Sequence, residues 1–125
     1  MIALSTFDEL TFVNYHHIVR CKADNMYTIF YFIDKSAIGI RRSIKECEDF
    51  LKEFGFIRVH RSHIVNIMYI KKCLRNGDII LADNSCIRIS VGKRERFNNL
   101  IRKWLCCMNN VQSFDEISKF YRFFT

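Results

Sequence analysis

Proline is absent from this chain and glycine occurs only four times, so no Pro/Gly-rich linker or low-complexity tract divides its 125 residues. Domains commonly run about 100–150 residues, so one domain with at most an appended element is expected. Long apolar runs are also missing. The longest stretch free of charge, Trp104 to Phe114, is eleven residues, well short of the roughly 18–20 that cross a bilayer as a helix. The first residues carry no basic start followed by an apolar run, so no secretory signal is read and a cytoplasmic location is expected. The six cysteines, at positions 21, 47, 73, 86, 106 and 107, form no C-x-x-C pair. Free thiols are therefore expected, with no disulfide framework, metal site or cofactor. Gly-rich phosphate loops, Ser-His-Asp order and paired carboxylates are lacking too, which speaks against an enzyme.

What is present is apolar and basic. Half of the residues are hydrophobic and twelve are Phe, enough to build a core and to exclude disorder by composition. Twenty Lys and Arg against thirteen Asp and Glu give a net charge of +7, which favours a polyanionic partner, nucleic acid first. The charge is uneven. Residues 1–40 hold three basic and four acidic residues, whereas 93–105 hold five basic and one acidic. A solubility device or a phospholipid patch would use the same charge, so motifs have to discriminate.

Residues 1–41 are dense in β-branched and aromatic types and predict strands at 2–5, 10–14, 17–22, 26–33 and 37–41, with bends at Asp24-Asn25 and Asp34-Lys35-Ser36. Ser43-Ile44-Lys45-Glu46 reads as a capping box opening a helix over 44–54, with Ile44, Cys47, Leu51 and Phe54 as its apolar stripe and Gly55 as its stop. A meander follows over 56–60, 64–66, 69–75, 78–81 and 86–90. Asn76-Gly77 and Asp83-Asn84 are read in it as two-residue hairpin turns. A second amphipathic helix is predicted over 93–108, and the stripe Phe114, Ile117, Phe120, Tyr121 and Phe124 predicts a third. The fold class is thus mainly β: small packed antiparallel sheets, a short helix after the fifth strand, and C-terminal helices.

Two chemistries compete for the polar residues. His60 and His63 flank Arg61-Ser62 and, in a basic protein, could serve as general acid and base on a phosphodiester without a metal. Histidine between β-branched residues is more often structural. Alternatively, Asn25, Tyr27, Arg41-Arg42, Arg61-Ser62 and Gly92-Lys93-Arg94 set short hydrogen-bonding groups beside cations, a combination that suits a polyanion with readable edges. No helix-turn-helix, zinc finger or RNA-binding aromatic signature accompanies them. A basic adaptor binding protein through its β edges and Phe-rich tail is a third reading.

The order of motifs decides among these. Ala23-Asp24-Asn25-Met26-Tyr27-Thr28, Arg42-Ser43-Ile44, Phe56-Ile57-Arg58-Val59-His60-Arg61-Ser62-His63-Ile64-Val65-Asn66, Leu81-Ala82-Asp83-Asn84 and Ile87-Arg88-Ile89-Ser90 together resemble the LytTR family of bacterial DNA-binding domains. The resemblance covers about residues 1–105 and leaves 106–125 as a helical extension that docks on the core or forms a homodimer contact. It implies transcriptional regulators that read double-stranded DNA with loops in successive major grooves, in place of a recognition helix. Its contact positions fall on Asn25 and Tyr27, on Arg61 with Ser62, and just after Ser90-Val91, with Arg42 at the helix start adding a cation. Members commonly carry Ser-Arg or Arg at the last position; here Gly92 precedes Lys93 and Arg94, so that either one of these takes the contact or it is lost. Most relatives carry an upstream receiver or membrane sensor, as in response regulators, so a receiver or sensory partner is expected; for a duplex-DNA regulator a homodimer on two half-sites is expected as well. No such segment is read in these 125 residues.

Overall fold

A computed structural model describes the backbone of residues 1–107 and the side chains through Lys103. The expected tail helix with its Phe stripe, the side chain of Trp104 and most of the 106–125 extension lie outside the described residues.

Among the described residues, ten strands and two α-helices follow the expected order. Strands β1 (Ile2–Ser5) and β2 (Leu10–Val13) form a hairpin. Strands β3 (Ile18–Asp24), β4 (Tyr27–Phe32) and β5 (Ala37–Ile40) lead into helix α1 (Ile44–Leu51), which is followed by β6 (Phe56–His60) and β7 (His63–Asn66). These five strands make one antiparallel sheet in the order β5-β4-β3-β7-β6. Strands β8 (Ile70–Cys73), β9 (Asp78–Leu81) and β10 (Cys86–Arg88) form a second sheet, and α2 (Arg94–Cys107) closes the described chain.

The five-stranded sheet is buried on both faces, because alternate residues of its strands face opposite ways. On one face Phe30, Cys21, Ile64 and Phe56 pack with Ile2 and Leu4 of β1 and with Ile44, Cys47 and Leu51 of α1. On the other, Val19, Ile57, Val59 and Val65 meet Ile79, Leu81 and Ile87 of the second sheet and Phe97 of α2. A bulge between Ile18 and Arg20 shifts the alternation. Hence Ile18 and Cys21 share the first core while Val19 enters the second. Between the layers, Arg20 pairs with Asp83 at 3.3 Å and stacks on the Tyr31 ring at 3.8 Å.

Turn chemistry differs from the expectation in one consistent way. Neither Asn76-Gly77 nor Asp83-Asn84 makes a two-residue turn. Leu74 and Asp78 close a three-residue loop in which Gly77 alone takes positive φ, and Leu81 and Ser85 close another around Asn84. Phe32 and Ser36 do the same around Lys35. The middle residue of each loop is Asp or Asn, and its Oδ1 accepts the amide two residues on: Asp34 from Ser36 at 2.9 Å, Asn76 from Asp78 at 3.0 Å, Asp83 from Ser85 at 3.0 Å. The β3–β4 bend is centred one residue later than expected, on Asn25-Met26, with Asn25 at φ 55°.

Helix α1 is shorter than the 44–54 expectation. Its α-helical part ends at Leu51, Lys52–Phe54 tighten into a 3-10 turn, and Gly55 at φ 85° stops it. Half of the capping box forms: Ser43 Oγ accepts the Glu46 amide at 3.1 Å, but the Glu46 carboxylate turns to Arg42 at 3.2 Å.

Candidate nucleic-acid interface

Strand direction gathers the polar loops. Strands β3, β5 and β6 all run toward one end of the five-stranded sheet, so the β3–β4, β5–α1 and β6–β7 connections leave from that end. Asn25 and Tyr27, Arg41 and Arg42, and Arg61 and Ser62 therefore become neighbours in space. The Ala23 amide donates to the Ser62 carbonyl at 2.9 Å, and the Thr28 hydroxyl donates to the Arg42 carbonyl at 2.8 Å, fastening each loop to the next strand. The segment after β10 joins them, because the Ser90 amide donates to the Val59 carbonyl at 2.9 Å. A row thus runs from Arg42 through Asn25 and Arg61 to Ser90 and Lys93. From β5 to β6 it spans four strand spacings, roughly 19 Å, and Ser90 and Lys93 extend it past β6.

The individual side chains differ in availability. Tyr27 is half exposed and Asn25 and Arg61 are exposed, with Lys22 and Arg41 beside them. Arg42 pairs with Glu46 across solvent-exposed side chains, a contact worth little that a phosphate can replace. Ser62 is partly buried, and its amide donates to His60 Nδ1 at 3.1 Å. Ser90 precedes the turn Val91–Lys93, its carbonyl accepting the Lys93 amide at 3.0 Å, and Lys93 is partly buried. Arg94 points elsewhere: its guanidinium lies on Gly77 of the β8–β9 loop, so close that a Cβ there would be 2.8 Å from Nη2.

The two histidines of the alternative reading stand side by side, ring centroids 5.5 Å apart. Burial, with the charges of His60, Arg20 and Lys22, depresses the His63 pKa to about 4. A neutral ring at physiological pH adds no charge to the row. Among the described residues no group of three His, Cys, Asp or Glu is placed to hold a metal, and Cys21, Cys47, Cys73 and Cys86 are free thiols.

Sequence reading missed Arg58 and Glu48. Arg58 donates through Nε to the His60 carbonyl at 3.3 Å and through Nη2 to the Arg61 carbonyl at 2.6 Å, while Nη1 meets Glu48 at 3.4 Å. Glu48 is buried on α1 and also faces Lys45 at 3.6 Å and Arg96 of α2 at 3.7 Å. A signal existed: Glu48 falls on the helix face of Ile44 and Leu51, and a carboxylate there needs a cation from the sheet.

The comparisons with known proteins agree with this geometry. The family model for the LytTr DNA-binding domain matches residues 8–102. No curated protein matches. Among solved structures, the LytTr DNA-binding domain of a methyl-accepting/DNA response regulator from Bacillus cereus superposes with a TM-score of 0.69 at 23% identity, covering 80% of this chain and 94% of that one. Strand-rich architecture, order of elements and family match converge: the chain belongs to the LytTR family of DNA-binding domains.

Proposed function

We propose that this DNA-binding domain is a sequence-specific transcriptional regulator that reads double-stranded DNA through major grooves with the loops at one end of its five-stranded sheet. The observation that carries the reading is the Ala23–Ser62 hydrogen bond with the strand register around it, which makes one continuous row from loops distant in sequence. Lys22, Arg41 and Arg42 supply phosphate contacts that set register, while Asn25, Tyr27, Arg61 and Ser62 offer groups for base edges. At the fourth loop Ser90 and Lys93 supply the contacts, while Arg94 packs against Gly77 of the β8–β9 loop. Residues 1–105 form the DNA-reading unit, with 106–125 as an extension. The regulator acts in the bacterial cytoplasm as a homodimer on two half-sites and takes its signal from a receiver or sensory partner, in keeping with the response regulator that carries the Bacillus cereus domain.

Selection of bound duplexes from a random pool, followed by gel shift against random competitor in chelator, tests the reading. A recurring motif bound at least a thousandfold more tightly than random duplex is expected. Equal binding of all duplexes would leave only phosphate contacts, and cleavage in chelator would favour the His60/His63 chemistry.

A further inference from the structure

We infer that Arg58 is a positioning residue for DNA reading: anchored by Glu48, it fixes the shape of the β6–β7 turn that presents Arg61. The inference rests on the function proposed above. Arg61 and Ser62 are two residues between strands, and within the turn the Ser62 amide bonds His60 Nδ1, which leaves the carbonyls of His60 and Arg61 to be satisfied from outside it. Arg58, from within β6, spreads its planar guanidinium beneath them and serves both the His60 and the Arg61 carbonyls. The donor fork is fixed in turn by the Glu48 carboxylate, and the two side chains are 15% and 10% exposed. Burying such a pair costs desolvation, and apolar residues of equal volume would often be more stable. What apolar residues could not supply is a rigid set of donors aimed at two successive carbonyls. Because Glu48 also faces Lys45 and Arg96, the turn is tied to α1 and α2 as well as to its own strands.

Lysine cannot substitute, since one ammonium at the end of a flexible stem does not reach three acceptors in one plane. Arg58→Lys is therefore expected to lower the ratio of selected to random duplex affinity about tenfold, roughly 1.4 kcal/mol, while the dependence on salt changes by less than one phosphate contact. In the free protein, exchange of the Ser62 amide, bonded to His60 Nδ1, should quicken. Arg61→Ala, measured in parallel, separates the layers of the argument. A reduced ratio in Arg61→Ala with an unchanged ratio in folded Arg58→Lys would overturn the positioning role. If Arg61→Ala leaves the ratio unchanged, the base-reading role of the turn fails, and Ser62 exchange alone decides: unchanged exchange overturns positioning and faster exchange supports it. Should Arg58→Lys not fold, Glu48→Gln makes the same test, with about a threefold loss expected and no loss counting against the inference.

Discussion

The amide of Ala23 donates to the carbonyl of Ser62 at 2.9 Å, which lays the β6–β7 turn beside the β3–β4 hairpin. Two loops from different hairpins thereby share one surface. Arg61 is exposed beside that seam, and the function proposed above gives it the bidentate contact with guanine. Arg61→Ala should narrow the gap between selected and random duplex by about tenfold or more at fixed salt, roughly 1.4 kcal/mol per decade. Lys103→Ala, exposed on α2 away from the row, should change the gap little. Competition gel shifts on both variants, with folding checked by circular dichroism, provide the comparison.

Salt should weaken binding steeply. Four to six phosphate contacts predict a log-log slope of about −4 to −5, at roughly −0.9 per phosphate. Titration with monovalent salt measures it, and a slope near zero is incompatible with loops tracking phosphates.

Acid should destabilise the fold through His63. Its folded pKa, depressed from 6.5 to about 4 by burial, His60, Arg20 and Lys22, means that the unfolded chain takes up the proton first as pH falls. Stability contributed by the neutral ring is complete above pH 6.5 and is lost between there and about 4. Discounted for partial exposure, the loss should be about 1–2 kcal/mol. Denaturant melts at pH 7 and pH 4.5 should show it, and His63→Gln should shrink that part of the difference.

Two loop substitutions should act in opposite directions. Lys35 is a long side chain held at φ 73°, so Lys35→Gly should stabilise the protein by about 0.5 kcal/mol, the relief of left-handed strain exceeding the entropy gained by the unfolded chain. Asp83→Ala should cost about 1–3 kcal/mol, because Asp83 holds both the hydroxyl and the amide of Ser85 and pairs with Arg20 between the sheets. Thermal melts of the two variants test both signs.

Chelator should leave DNA affinity unaltered, since no spacing among the cysteines fits a zinc site. A loss of affinity in chelator, restored by zinc, would show a metal dependence.

Most of the element order was legible in the chain because its signals are local. Ser43 and Gly55 bracket α1, apolar β-branched residues mark β6 and β9, and the string around His60-Arg61-Ser62-His63 carries the family. Loop geometry was less legible. Asn76-Gly77 suits a two-residue turn and equally a three-residue loop, and pairing between Leu74 and Asp78 selected the latter. The end of β10 moved for the same reason, since the Ile89 and Ser90 amides bond to Gly77 and Val59 instead of to β9.

The amino-acid order supplied the side chains: twenty cations, and strands apolar enough to be buried on both faces. Where those cations meet was decided by tertiary structure, because sheet order depends on long-range pairing that no local periodicity encodes. The antiparallel order β5-β4-β3-β7-β6 puts Arg42, Asn25 and Arg61 at one end of the sheet. The same long-range packing turned Arg94 onto Gly77 and Arg58 under Arg61. In the sequence these are three more cations among twenty; in the fold their roles separate, because a guanidinium's function depends on which carbonyl, carboxylate or solvent the surrounding strands leave within its reach.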